Sequence, residues 1–179
     1  MNIFFVDTDP IKAAEALVDK HVVKMILESA QLLSTAHRLL DGRQTPGLSK
    51  TGRAAKRWIL DDERENVMYK ATHVHHPSAV WARASVENYL WLVEHFAGLL
   101  DEYTYRYGKK HKCFEMLYLL QSPPKALEVW DMTPMPSAMA EEYKVSSDPL
   151  TNYRHYYIKG KASMHKWTRR DPPAWLLSI

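Results

Sequence analysis

The chain has 179 residues, enough for one domain with a substantial core and short for two. Hydrophobic residues make up 46 % and charged residues 25 %, no apolar run approaches the roughly 18 residues of a membrane span, and Met1–Asp7 lacks the basic region of a secretory signal, so a soluble cytoplasmic protein with no membrane partner is expected. A net charge of +3 does not by itself define a partner, and the single cysteine, Cys113, excludes an internal disulfide and a multi-cysteine metal site.

In chain order, Ile3–Val6 reads as a short strand or an apolar anchor. Asp9-Pro10 is a good N-cap with a first-turn proline, and a helical pattern follows to about Leu40, with a joint near Asp19 and a stop at Asp41-Gly42. Arg43 to Gly52, with Pro46 and Gly47 inside it, predicts a loop, and a basic patch of Lys50, Arg53, Lys56 and Arg57 lies beside it. A helix is predicted from about Arg53 to Ala71. Thr72–His76 leads to Pro77, which opens a long central helix through Trp81, Tyr89, Phe96 and Tyr103 to a stop at Gly108. A shorter helix should reach Gln121, residues 122–149 are proline-rich and predict a wrapping segment or lid, and a last helix begins near Asp148-Pro149. Little alternates with period two. The expected fold is mainly α: a compact single-domain helical bundle over residues 1–179, with a long central helix and a Pro-rich wrap.

The most informative stretch is His21–Thr35. On a helix, His21, Lys24, Glu28, Gln31 and Thr35 fall within about 80° of one another, while the rest of the circumference is Val, Met, Ile, Leu and Ala. Titratable groups on an otherwise apolar helix are costly unless paired or used. The plain alternative is an i,i+4 ion pair of Lys24 with Glu28 at a helix rim. Glu28 is the best candidate acid or base, because apolar surroundings raise a carboxyl pKa toward the range of proton transfer, and His21 lies two turns before it. A second seam, Asn88, Trp91, His95, Glu102 and Arg106, is read as structural.

His73, His75 and His76 invite a metal reading, but adjacent histidines diverge and no metal-binding spacing accompanies them, so no metal or other cofactor is expected. They suit phosphate contact at a helix start, or simply satisfy loop carbonyls. Tyr153–Arg170 carries Arg154, Tyr157, Lys159, Lys161, Lys166, Trp167, Arg169 and Arg170 and no acid. Cations neutralise phosphates and aromatic faces stack on bases, so the run suits nucleic acid, unless it is a helix whose rings face the core. Glycine-rich phosphate loops, GxSxG and CxxC are missing, which leaves general acid–base or electrostatic chemistry.

Asp19-Lys-His21, with Glu28 seven residues after the histidine, resembles the first helix of the phage-type pyrimidine-dimer DNA glycosylases, the endonuclease V enzymes that excise ultraviolet photoproducts. His76 through Gly108 resembles that family's central helix, and Tyr153–Lys161 is similar to its aromatic and lysine-rich C-terminal run. The resemblance implies a catalytic glutamate at Glu28, with His21 and Lys24 beside it, and an α-amine that attacks the sugar C1′ to form a Schiff base. In that family the amine is exposed by removing Met1; here residue 2 is Asn, a poor context for removal, so the nucleophile is either the Met1 amine itself or absent. The residue before Glu28 is Leu27, so the arginines around the family's glutamate are not reproduced.

The expected function is therefore a DNA-base-acting enzyme that engages an extruded or damaged base of duplex DNA. A first alternative is a phage DNA base-modifying transferase that joins a small amine or amino acid to an activated pyrimidine on the same scaffold. A second is a non-enzymatic nucleic-acid-binding protein.

Overall fold

A computed structural model describes residues 1–49 and 51–177. The fold is mainly α, with seven α-helices and one two-stranded sheet among the described residues. Helix α1 (Pro10–Ala16) begins where the Asp9 carboxylate accepts the Ile11 and Lys12 N–H groups, and Pro10 needs no partner at the first helical position. Leu17 and Val18 are extended, and α2 (Asp19–Asp41) follows, so the joint falls where the sequence places it. Both helices pack on the central helix α5 (Val86–Tyr107). The approach of α1 is close: a Cβ on Gly98 of α5 would stand 3.1 Å from both the Ala14 Cβ and the Ile11 Cδ1. Val22, Met25, Ile26, Leu32 and Leu33 of α2 meet Tyr89, Leu92, Phe96 and Leu99 of α5 in one buried cluster, the dominant favourable contribution to folding. Gly108 ends α5 in the left-handed region at φ 66°, open to a residue without a Cβ.

Two expected helices are corrected. No helix spans 53–71. Instead β1 (Arg43–Leu48) and β2 (Ala54–Ile59) form an antiparallel hairpin with Pro46 opposite Lys56, and only a single turn, α3 (Arg64–Val67), is helical. The cause is tertiary: the buried Arg38 guanidinium donates to the Trp58, Glu65, Met68 and Tyr69 carbonyls, gathering the end of β2, the single turn of α3 and the stretch after it around one side chain. Lys50, in the expected basic patch, lies outside the described residues. The long helix from Pro77 is two helices, α4 (Pro77–Ala82) and α5. Ser85 breaks the run by capping Asn88 N–H at 3.1 Å, while Asn88 Nδ2 donates to the Trp81 carbonyl. After α5 come a 3₁₀ turn (Lys112–Met116) and α6 (Leu117–Leu120).

The proline-rich wrap is a strap. Its Lys125 and Ala126 N–H groups donate to Asp41 at the end of α2, Thr133 bonds Asn88, and Ala138 reaches the N-terminus. Helix α7 (Pro149–Gly160) starts on the Asp148 cap and buries Asn152, Tyr153 and Tyr157. Ile3–Val6 is an apolar anchor rather than a strand, with Ile3, Phe4 and Val6 buried. No helix of the described residues is long and apolar enough to cross a membrane.

Candidate active site

The site is built by folding the N-terminus back onto the middle of α2. Asn2 Oδ1 accepts the Ile3 and Phe4 N–H groups at 2.8 and 3.2 Å, a local turn that coincides with Phe4 at φ 58°, while Asn2 Nδ2 donates to the Ala138 carbonyl of the strap at 2.9 Å. The main chain then meets Glu28. Asn2 N–H donates to Glu28 Oε2 at 2.8 Å, and the Met1 amine nitrogen lies 3.7 Å from the same oxygen. Lys24 Nζ is 3.4 Å from Oε1, so the expected i,i+4 pair is present, but it is one of two cation contacts on this carboxylate. Glu28 is 8 % exposed; the Met1 side chain is 3 % exposed although the residue as a whole is half-buried, which leaves the amine end as the part turned outward.

His21 lies against this centre without a hydrogen bond to it. Its ring stacks on Phe4 at 4.2 Å, and Nδ1 is 2.7 Å from the Tyr157 hydroxyl, which also accepts Val18 N–H at 3.0 Å. The direction of the hydrogen bond between Nδ1 and the hydroxyl follows the imidazole tautomer. Burial, helped by the nearby charges of Lys161 and Lys24, lowers the His21 pKa to about 4. His76 caps α4, Nδ1 accepting Ser78 N–H at 3.2 Å; burial lowers its pKa, the Met1 amine and His73 act in the same direction, and Glu28 opposes them. His76 therefore shares the electrostatic neighbourhood of the amine and the carboxylate. His73 and His75 are exposed on the turn before it.

The C-terminal cations divide. Lys159, Lys166 and Arg169 are exposed, and Lys161 sits over the Tyr156 ring at 4.6 Å and the Phe4 ring at 6.0 Å, beside His21. Arg154 is spent on the Val6 carbonyl and Asp7, and Arg170 on Glu102 and Glu15. Tyr157 is fully buried and offers no face for stacking, while the half-buried Trp167 donates its indole N–H to the Ala16 carbonyl; the half-buried Tyr156, stacked on Phe4, was not singled out from sequence. Asn2 was missed as well: a contact across 26 residues leaves no local signal. An open groove lined by Asp7, Lys12, Glu15, Arg169, Arg170 and Trp175 lies outside this centre. No group of three or more His, Cys, Asp or Glu poised to hold a metal ion occurs among the described residues.

Fold and site together define a mainly α protein that holds a main-chain amine against a nearly buried carboxylate, beneath a rim of lysine and histidine. The chain belongs to the pyrimidine dimer DNA glycosylase family, whose model matches residues 1–116, from the N-terminal amine to the 3₁₀ turn after α5. No curated protein and no solved structure matches the chain. The match takes in Met1, His21, Lys24, Glu28 and the His73–His76 turn; the strap and α7 lie beyond it.

Proposed function

We propose that the protein removes a damaged pyrimidine from duplex DNA, with its N-terminal amine as nucleophile and Glu28 as the acid–base group. The observation that carries this reading is the Met1 amine at 3.7 Å from Glu28 Oε2, two groups far apart in sequence brought together at the surface of a helix that is otherwise core. The reaction needs the amine neutral. Glu28 takes a proton from the ammonium, the amine attacks C1′, the N-glycosidic bond breaks with its electron pair leaving on the base, and the leaving base takes up a proton. In the resulting glycosylamine the nitrogen lone pair forms a C=N bond as the C1′–O4′ bond breaks, and O4′ keeps the electron pair and takes up a proton as the C4′ hydroxyl, which leaves a ring-opened Schiff base. Lys24 supplies positive charge, and His76 with the exposed His73 and His75 hydrogen-bonding groups, for phosphates on one side, and Lys159, Lys161 and Lys166 supply charge on the other. An extruded nucleotide needs a ring to lie on, and the half-buried Tyr156, stacked on Phe4, which in turn stacks on His21, supplies one beside this centre.

Asn2 N lies even closer to Glu28, at 2.8 Å, so processing of Met1 would present the Asn2 amine to the same oxygen. Incubating the protein with ultraviolet-irradiated and with undamaged duplex DNA in the presence of borohydride tests the reading. The expected result is a covalent adduct, confined to irradiated DNA, whose peptide mass assigns the amine to Met1 or Asn2. Transfer of an added amine onto a base would point instead to the base-modifying transferase, and DNA binding with no adduct, nick or released base to a non-enzymatic binder.

A further inference from the structure

The catalytic reading leaves the β1–β2 hairpin without a role. Between Gly42 and Leu60 the sequence carries five cations and no acid, more than the net charge of +3 of the whole chain, so the remainder of the protein is weakly acidic. A two-stranded ribbon has marginal stability of its own. This one is held at its base, where Arg38 donates to the Trp58 carbonyl at 2.9 Å and Glu65 accepts Leu60 N–H at 2.9 Å, and no residue of either strand is fully buried. Among the described residues its cations are little neutralised. Arg53 and Lys56 have no ion-pair partner among the described residues, and Arg43 reaches only Asp61, at 3.9 Å with both groups exposed. Arg57 is laid across β1: its guanidinium donates to the Leu48 carbonyl, and its stem occupies the space a Cβ on Gly47 would need.

Placement connects the hairpin to the site. Lys70 and Ala71 share a shallow groove with Lys56–Ile59, and the chain then runs back along α2, Thr72 pairing with Thr35, to His76 beside the Met1 amine. Hairpin, Lys70, the histidine turn and Glu28 thus follow one line along α2. From Glu28 to Asp41 the helix rises about 20 Å, the length of roughly six base pairs.

We propose that this hairpin is a second DNA grip, engaging phosphates of the same duplex about six base pairs from the base being excised. Spaced, unpaired cations on a projecting ribbon suit the regular phosphates of a duplex, and contacts that far from the chemistry fix register on the DNA without reading its sequence. The inference rests on the DNA reading above. If the cations served only to keep the ribbon's free edges from pairing with other chains, DNA would not sense their loss.

The test compares the full-length protein with an Arg53→Gln/Lys56→Gln double variant, by fluorescence anisotropy with two duplexes across a salt series: one extending past the hairpin, one ending before it. On the long duplex the slope of log affinity against log salt should fall by about 1.8, a loss on the order of thirtyfold in 0.15 M salt. On the short duplex the two proteins should agree. Equal slopes on the long duplex overturn the grip while leaving the glycosylase reading intact; failure of the unaltered protein to bind either duplex overturns both. A loss of equal size on both duplexes also overturns the grip, because it places the lost cations at the site itself.

Discussion

Two buried polar clusters of this protein use the same residue types to opposite ends. Around Arg106 the cluster is closed: the fully buried guanidinium donates to Glu102 at 2.6 Å, Asp19 at 2.9 Å and the Glu15 carbonyl at 3.0 Å. Glu102 also takes two donors of Arg170, and Asp19 takes the Thr168 N–H and hydroxyl. Burial works to raise the Asp19 pKa, but the Thr168 and Arg106 hydrogen bonds outweigh it and hold the carboxyl below its ordinary range. Around Glu28 the cluster is open. One oxygen faces the N-terminus, the other an exposed lysine, with His76 in the same electrostatic neighbourhood and Lys161 over the Phe4 ring nearby. A cluster in which every donor and acceptor is matched internally has nothing left for a ligand; one that stops at the surface with cations on its rim does.

The sharpest break of this contrast is Glu28→Gln. It keeps an acceptor for Asn2 N–H but removes the base, so glycosylase turnover should fall by on the order of 10²–10⁴ while the urea midpoint moves little. A variant that keeps its turnover sinks the assignment of Glu28. Arg106→Met is the mirror experiment: it leaves Asp19 and Glu102 facing each other without their shared cation, and should cost about 3–5 kcal/mol of stability. Per folded molecule, measured below the melting temperature, its excision rate should be close to that of the unaltered protein. A large rate loss without destabilisation would show that the closed cluster also serves the chemistry.

Much of this was legible in the sequence, and the failures share a cause. The seam on α2 could be read because helical period alone puts Lys24 and Glu28 on one face, and the Asp9-Pro10 start because capping is local. The hairpin could not: Arg53–Ala71 has no strong strand pattern, and it is the Arg38 side chain, from another element, that takes up its carbonyls. The helix break at Ser85 was similarly hidden, being a cap reinforced by Asn88 and Thr133 from across the strap. The basic run Tyr153–Arg170 contains no acid, yet Arg154 and Arg170 are neutralised by Asp7, Glu15 and Glu102, which are far away in sequence. A local charge count therefore overstated that surface.

Protonation sharpens the contrast next. His21 in the open cluster and His95 in the α5 seam both have pKa values lowered to about 4, the first by burial and by Lys161 and Lys24, the second chiefly by burial. An unfolded chain takes up these protons near pH 6.5, the folded chain only near 4. Each histidine therefore favours the folded state fully above pH 6.5, and that contribution, up to about 3 kcal/mol apiece, is lost as the pH falls through the window toward 4. Denaturant midpoints recorded between pH 7.5 and 4.5 should show the decline. Imidazole NMR titration separates the two: saturating DNA should raise the His21 pKa, because phosphates offset Lys161 and Lys24, and leave that of His95 in place. An unmoved His21 would put the DNA elsewhere.

The smallest effect is the most discriminating about the rim. Lys24 is 67 % exposed, and as a surface i,i+4 partner of Glu28 it is worth only about 0.3–0.5 kcal/mol to the fold. Lys24→Gln should leave the melting temperature nearly unchanged. If the open cluster meets DNA, the same substitution removes one phosphate contact, lowering the salt slope by about 0.9 and the affinity about fivefold at 0.15 M salt. Because Glu28 then loses one of its two cation contacts but keeps the N-terminus, turnover at saturating DNA should fall far less than in Glu28→Gln. A Lys24 variant as inactive as Glu28→Gln would instead make the lysine part of the chemistry, and an unchanged salt slope would leave it as the ordinary helix-surface pair that the four-residue spacing first suggests.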